Sequence, residues 1–186
     1  MPIAEKKRYI QLSCLRNPFI CKGCGIYCKN GNIEYHNIYR RLHGAAPLDY
    51  DDRIESYARN WSDKLVNRFA CIEHDPMRRY GENIFFYAAT VLPNESALAR
   101  MALHSFYTES NGYDYKTGHF TQLIWKNTKR LGIGVSIGHW LNQYANNCMP
   151  KFPAFVVYVV VKYDPPGNIH KLDYYNQNVS PKPIKL

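Results

Sequence analysis

The hydrophobic period of this chain changes near residue 130. Upstream, Ile54, Tyr57, Ala58, Trp61 and Leu65 recur at i, i+3, i+4, i+7 and i+11, an apolar stripe with Arg and Asp residues opposite. That spacing predicts a core-facing helix starting near Asp51. Ile33, His36, Asn37, Arg40 and Leu42 predict an earlier helix from Ile33, ended by Gly44 and Pro47. Pro93 and Asn94 open a third, in which Leu98, Met101, Ala102, Ser105, Phe106 and Glu109 share a face. A carboxylate ends that otherwise buried stripe and asks for a partner. Downstream, residues 131–138 and 155–163 are rich in Val, Ile and Tyr and bounded by Gly and Pro, which predicts strands of a buried sheet. Residues 83–87 predict another. Asp164-Pro165-Pro166-Gly167-Asn168 stops the sheet. Helices and strands segregate along the chain, so the expected class is α+β.

One domain suits 186 residues, of which 46% are hydrophobic and 21% charged, and this balance excludes disorder, a coiled coil and a collagen-like repeat. The longest apolar run, residues 154–161, is far shorter than the ~20 residues of a membrane-crossing helix, so no transmembrane segment is expected. Residues 1–8 are polar and basic with no apolar stretch behind them, so either the chain is cytosolic or a leader has been removed. Six cysteines favour the second option and an extracellular location. Three triplets, beginning at Asn60, Asn94 and Asn178, permit glycosylation.

Cys14, Cys21, Cys24 and Cys28 crowd residues 1–32, which read as an irregular extension stapled by disulfides. Their C-x6-C-x2-C-x3-C spacing also admits zinc or an iron–sulfur cluster. Residues 169–186 read as an irregular tail. The formal charge of +9 suits an anionic neighbour, heparin-like or lipid. No nucleic acid is expected, because no recognition helix, RNP or zinc-finger pattern accompanies the charge.

Four groups can carry chemistry: His74, Glu82, Glu109 and His119. Each His–Glu pair brackets a glycine-containing loop, so the pairs can converge on one site. Two imidazoles with carboxylate oxygens can bind Zn²⁺ or a harder divalent cation, or can form a structural hydrogen-bond network. His36, His43, His104, His139 and His170 read as structural. Gly134-Val135-Ser136-Ile137-Gly138 matches G-x-S-x-G to the letter, but Ser136 sits inside a strand pattern with no helix immediately after it, so the nucleophile-elbow reading fails.

Gly118-His119-Phe120-Thr121-Gln122-Leu123-Ile124-Trp125 resembles the G-H-F-T-Q-x-x-W signature of the CAP superfamily, the cysteine-rich secretory, antigen 5 and pathogenesis-related 1 proteins. His36-Asn37-x-x-Arg40, Gly81-Glu82-Asn83-Ile84, Phe106-Tyr107-x-Glu109 and Tyr163-Asp164-Pro165-Pro166-Gly167-Asn168 follow in the family's order, over residues 33–168. Within that superfamily the sequence resembles the schistosome-type venom allergen-like proteins. The resemblance implies an α-β-α sandwich whose cleft holds His74, Glu82, Glu109 and His119. It makes His74 and His119 candidate ligands for zinc or another divalent cation, completed or oriented by the two glutamates.

The sequence also departs from the family. Val161 stands where a cysteine is common, and Asp75 where a serine usually follows the first histidine. Cys71 and Cys148 lie in the region of resemblance and are expected to pair, leaving the four N-terminal cysteines to one another. Tyr113, Tyr115 and Phe120 fit the aromatic spacing of a caveolin-binding motif, which related proteins link to sterol binding. Tyr35, Ile38, Tyr39 and Leu42 match a helix that holds a fatty acid in some relatives. The resemblance therefore implies a secreted, monomeric, non-enzymatic protein that binds sterols or fatty acids and meets host or extracellular proteins. A metal-dependent hydrolase and a pure extracellular interaction module are the alternatives.

Overall fold

The computed structural model describes residues 24–112, 118–142 and 146–180. Helix α1 (Cys24–Leu42) starts at Cys24 rather than Ile33, so part of the stretch expected to be irregular is helical. Cys24 and Cys28 fall on it, whereas Cys14 and Cys21 lie outside the described residues. A short strand β1 (Asp49–Tyr50) leads into α2 (Asp52–Arg68). Asp51 caps α2 with a carboxylate that accepts from the N–H groups of Arg53 at 2.9 Å and Ile54 at 3.1 Å. Strand β2 (Gly81–Ala89), helix α3 (Glu95–Thr108), a 3₁₀ turn (Glu109–Gly112) and helix α4 (Gly118–Ile124) follow. Strands β3 (Arg130–Trp140) and β4 (Ala154–Asp164) then form a hairpin. The tail expected to be irregular carries a further helix, α5 (Leu172–Asn178), whose Tyr175 packs edge-on against Trp125.

The sheet order is β1-β3-β4-β2, with β2 and β3 antiparallel to β4 and β1 parallel to β3. Strand β2 is therefore an edge. Side chains alternate across the sheet. Val157, Val159, Val161 and Tyr163 of β4 join one buried cluster with Phe106 of α3 and Phe120, Leu123 and Ile124 of α4. Val156, Tyr158 and Val160 join the other with Ala58, Trp61 and Leu65 of α2. Helices thus cover both faces, giving the expected α-β-α sandwich.

Glycines in β3 let α2 lie directly on the sheet. A Cβ at Gly132 would sit 2.1 Å from the Glu55 nitrogen, and one at Gly134 would sit 2.3 Å from the Ala58 carbonyl carbon. This close approach gives the G-x-S-x-G stretch a packing role. Ser136 is buried, donates to Asp63 Oδ1 at 2.5 Å and shares a hydrogen bond with Ser62 Oγ at 2.8 Å, inside a strand that runs on to Trp140. The disulfide Cys71–Cys148 ties the segment after α2 to the β3–β4 connection.

Candidate functional site

The edge strand β2 positions the first two candidate residues. Glu82 is paired in register with Lys162 of β4, and its neighbours Ile84 and Phe86 belong to the α2-side cluster, so its side chain turns to that face. There Glu82 Oε1 accepts from His74 Nδ1 at 2.7 Å and from the Asp75 N–H at 3.1 Å. Because a carboxylate only accepts, His74 carries its proton on Nδ1 and keeps Nε2 for other use. The hydrogen bond to Glu82 raises the His74 pKa, overcoming the opposing effect of burial. Burial pushes Glu82 upward, but hydrogen bonds from His74 and Lys162 outweigh it and hold its carboxyl below the usual range.

Lys162 is 2% exposed. Its Nζ lies 2.7 Å from Asp75 Oδ2 and 2.8 Å from Glu82 Oε2. The aspartate that departs from the family pattern thus completes a buried Asp75–Lys162–Glu82 bridge behind His74. Burial raises the Asp75 pKa, and the Lys162 hydrogen bond outweighs it and holds the carboxyl low. Sequence reasoning missed Lys162. Its signal was present: an ammonium directly after the apolar run 154–161, at a position that alternation turns inward, requires a buried counter-charge.

The second pair lies across β2. Glu109, at the end of α3, finds the partner its placement required in His119 at the start of α4, with Nδ1 to Oε1 at 2.7 Å. Its other oxygen faces the backbone N–H groups of His119 at 3.2 Å and Phe120 at 3.4 Å. Asn83, one residue beyond Glu82 and on the opposite face, donates through Nδ2 to the His119 carbonyl at 3.0 Å and to the Tyr163 hydroxyl at 3.3 Å. The two pairs therefore flank the start of one edge strand. His36 anchors this end of the sheet to α1. Its Nδ1–H donates to the Asn32 carbonyl at 2.8 Å, so Nε2 accepts from the Tyr163 hydroxyl at 2.8 Å. Burial lowers the His36 pKa to about 4, which keeps the ring neutral.

Among the described residues, no group of three or more His, Cys, Asp or Glu side chains is placed to hold a metal ion. The tetrad pairs as His74–Glu82 and His119–Glu109, and each pair offers one imidazole whose Nδ1 is already engaged. This donor set falls short of the three protein ligands of a catalytic zinc. His74 borders an open hollow of about 600 Å³ with Trp61, Lys64 and Arg68, and His119 is not part of its lining.

The expected lipid contacts lie in different settings. Tyr113 and Tyr115 lie outside the described residues. Phe120 is fully buried, edge-on to His43 and Tyr107, so it anchors α4 and presents no face to a ligand. On α1, Ile38 is exposed and Tyr35, Tyr39 and Leu42 are half-buried. Tyr39 stacks on Tyr107 of α3 with ring centres 4.1 Å apart, filling the gap between the helices at that level.

Residues 33–163 match the model of the cysteine-rich secretory protein family. Golgi-associated plant pathogenesis-related protein 1 of Homo sapiens is 26% identical over 162 residues, covering 82% of this chain and 92% of its own length. The basic form of pathogenesis-related protein 1 of Nicotiana tabacum is 30% identical over 145 residues, covering 73% and 69%. NaASP2, whose crystal structure was solved with Zn²⁺, superposes with a TM-score of 0.55 at 21% identity, covering 80% of this chain and 84% of that one. The fold, the signature octapeptide and these similarities agree: the chain belongs to the cysteine-rich secretory protein family, the CAP superfamily.

Proposed function

We propose that this protein is an extracellular, non-catalytic binding module that takes a sterol or fatty acid at the aromatic segment between Gly112 and Gly118 and acts on host or extracellular proteins. The observation that carries this reading is the Glu109–His119 clasp, which joins the two ends of the segment that bears Tyr113 and Tyr115. Flat aromatic faces suit a rigid apolar ring system, and a ligand there would be coupled to the clasp at its base. A fatty acid between α1 and α3 would first have to part the Tyr39–Tyr107 stack, so the segment is the primary site.

The dyads favour binding over turnover. Hydrolysis asks for an activated nucleophile, or for a metal with three ligands and a bound water. Here each imidazole is tied through Nδ1 to a carboxylate, an arrangement that orients the ring. The disulfide Cys71–Cys148 suits an oxidising compartment. Native mass spectrometry of protein purified from a eukaryotic secretory host tests the proposal. A bound sterol or fatty acid is expected; protein that stays ligand-free after incubation with both would overturn it.

A further inference from the structure

We propose that Asn94 is the N-glycosylation acceptor of this chain and that Asn60 and Asn178 stay bare, an inference that rests on the extracellular reading. The three triplets share the acceptor pattern, although Pro181 follows the third, and they differ widely in the fold. Asn178 is 1% exposed. Its Nδ2 donates to the Tyr174 carbonyl at 2.9 Å and its Oδ1 accepts from the Asn127 N–H at 2.8 Å. The next residue, Val179, is in the core. A sugar on Nδ2 would crowd the bond to the Tyr174 carbonyl and finds no room at a side chain this buried without lifting α5 from Trp125.

Asn60 lies in the middle of α2, where the backbone is committed to helix. The next two residues, Trp61 and Ser62, are buried, and the Ser62 hydroxyl is bound to the Arg59 carbonyl at 2.9 Å and to Ser136 Oγ at 2.8 Å. The hydroxyl that completes the triplet is therefore withdrawn once α2 meets β3.

Asn94 has the opposite character. It is exposed, as is Ser96, and its backbone is extended at φ −66° and ψ 161° just ahead of α3. A transferase takes such triplets in surface segments. Asn94 also caps the helix, because Oδ1 accepts from the Ala97 N–H at 2.8 Å. That bond uses the amide oxygen, whereas the sugar is attached to the nitrogen, so cap and glycan are compatible. In the transfer, Nδ2 bonds to the anomeric carbon of an oligosaccharide carried on a lipid diphosphate. The carbon–oxygen bond to the diphosphate breaks, the lipid diphosphate leaves with the electron pair, and one amide proton is lost to the medium.

The test is expression of the full chain behind a cleavable secretory leader in a eukaryotic host, followed by glycosidase treatment and peptide mass mapping. The leader imposes entry to the lumen, so the result bears on the site and not on whether the native protein is secreted. Ser96→Ala removes the acceptor triplet while keeping Asn94 as the cap, and Ser180→Ala does the same for Asn178. Wild type is expected to carry one glycan, mapped to Asn94. It should be lost completely in Ser96→Ala and unchanged in Ser180→Ala. An unmodified Asn94, or a glycan on Asn178 or Asn60 in folded secreted protein, would overturn the assignment.

Discussion

Replacing Lys162 by methionine would leave the Asp75 and Glu82 carboxylates facing one another without their shared cation. The ammonium is almost fully buried, and the two carboxylate side chains are only 14% and 6% exposed, so water cannot take over its role. Removing one partner of a buried ion pair costs about 3–5 kcal/mol. The hydrogen bonds that His74 and the Asp75 N–H still give to Glu82 place the loss at the lower end, about 3 kcal/mol at neutral pH. For a chain of this size that corresponds to a fall in Tm of roughly 6–12 °C. The deficit should shrink on acidification, since both carboxyls are held below their ordinary range in the native state and protonation removes their repulsion. Urea unfolding followed by tryptophan fluorescence, at neutral pH and near pH ~4, measures both effects. Adding Asp75→Ala to Lys162→Met should recover part of the loss. A Lys162→Met deficit under ~1 kcal/mol, or one that does not change with pH, would refute the reasoning.

Other sites give independent tests. With its pKa lowered from 6.5 to about 4 by burial, His36 contributes stability that is complete above 6.5 and drains away as pH falls toward 4. The difference is on the order of 3 kcal/mol, and urea midpoints of His36→Gln should show a flatter acid slope than wild type. His74 has its pKa raised, so its contribution is complete below 6.5 and is lost as pH rises through the folded value. NMR titration should place its midpoint lower in Glu82→Gln; equal midpoints would remove the dyad as the cause. The disulfide closes a separation of 77 residues, and Cys71→Ala with Cys148→Ala should cost about 2–4 kcal/mol in chemical denaturation.

The elements that bury a continuous stripe were legible in the sequence. The pattern Ile54, Ala58, Trp61, Leu65 yields α2, and the Val-rich runs yield β3 and β4, because burial on these faces leaves one workable register. Helix α4 escaped because seven residues hold too few turns for a period, and what fixes it is tertiary: the Glu109 carboxylate at its first N–H groups. The tail helix α5 escaped for the same reason, being held by Tyr175 against Trp125 and by Asn178 against the segment after α4. The site residues were legible as types. Their partners were not, because they depend on His74 and Lys162 both reaching Glu82 and on Glu109 reaching the start of α4. Asp75 was visible as a departure from the family, and only its contact with Lys162 explains it.

The most direct test of ligand binding at the clasped segment is equilibrium titration of the secreted protein with labelled cholesterol, beside a Tyr113→Ala/Tyr115→Ala variant of unchanged thermal stability. Saturable binding by the wild type, weakened at least about tenfold in the variant, a change of ~1.4 kcal/mol, is the predicted result. Absence of saturable binding, or equal affinity in the two proteins, would contradict it.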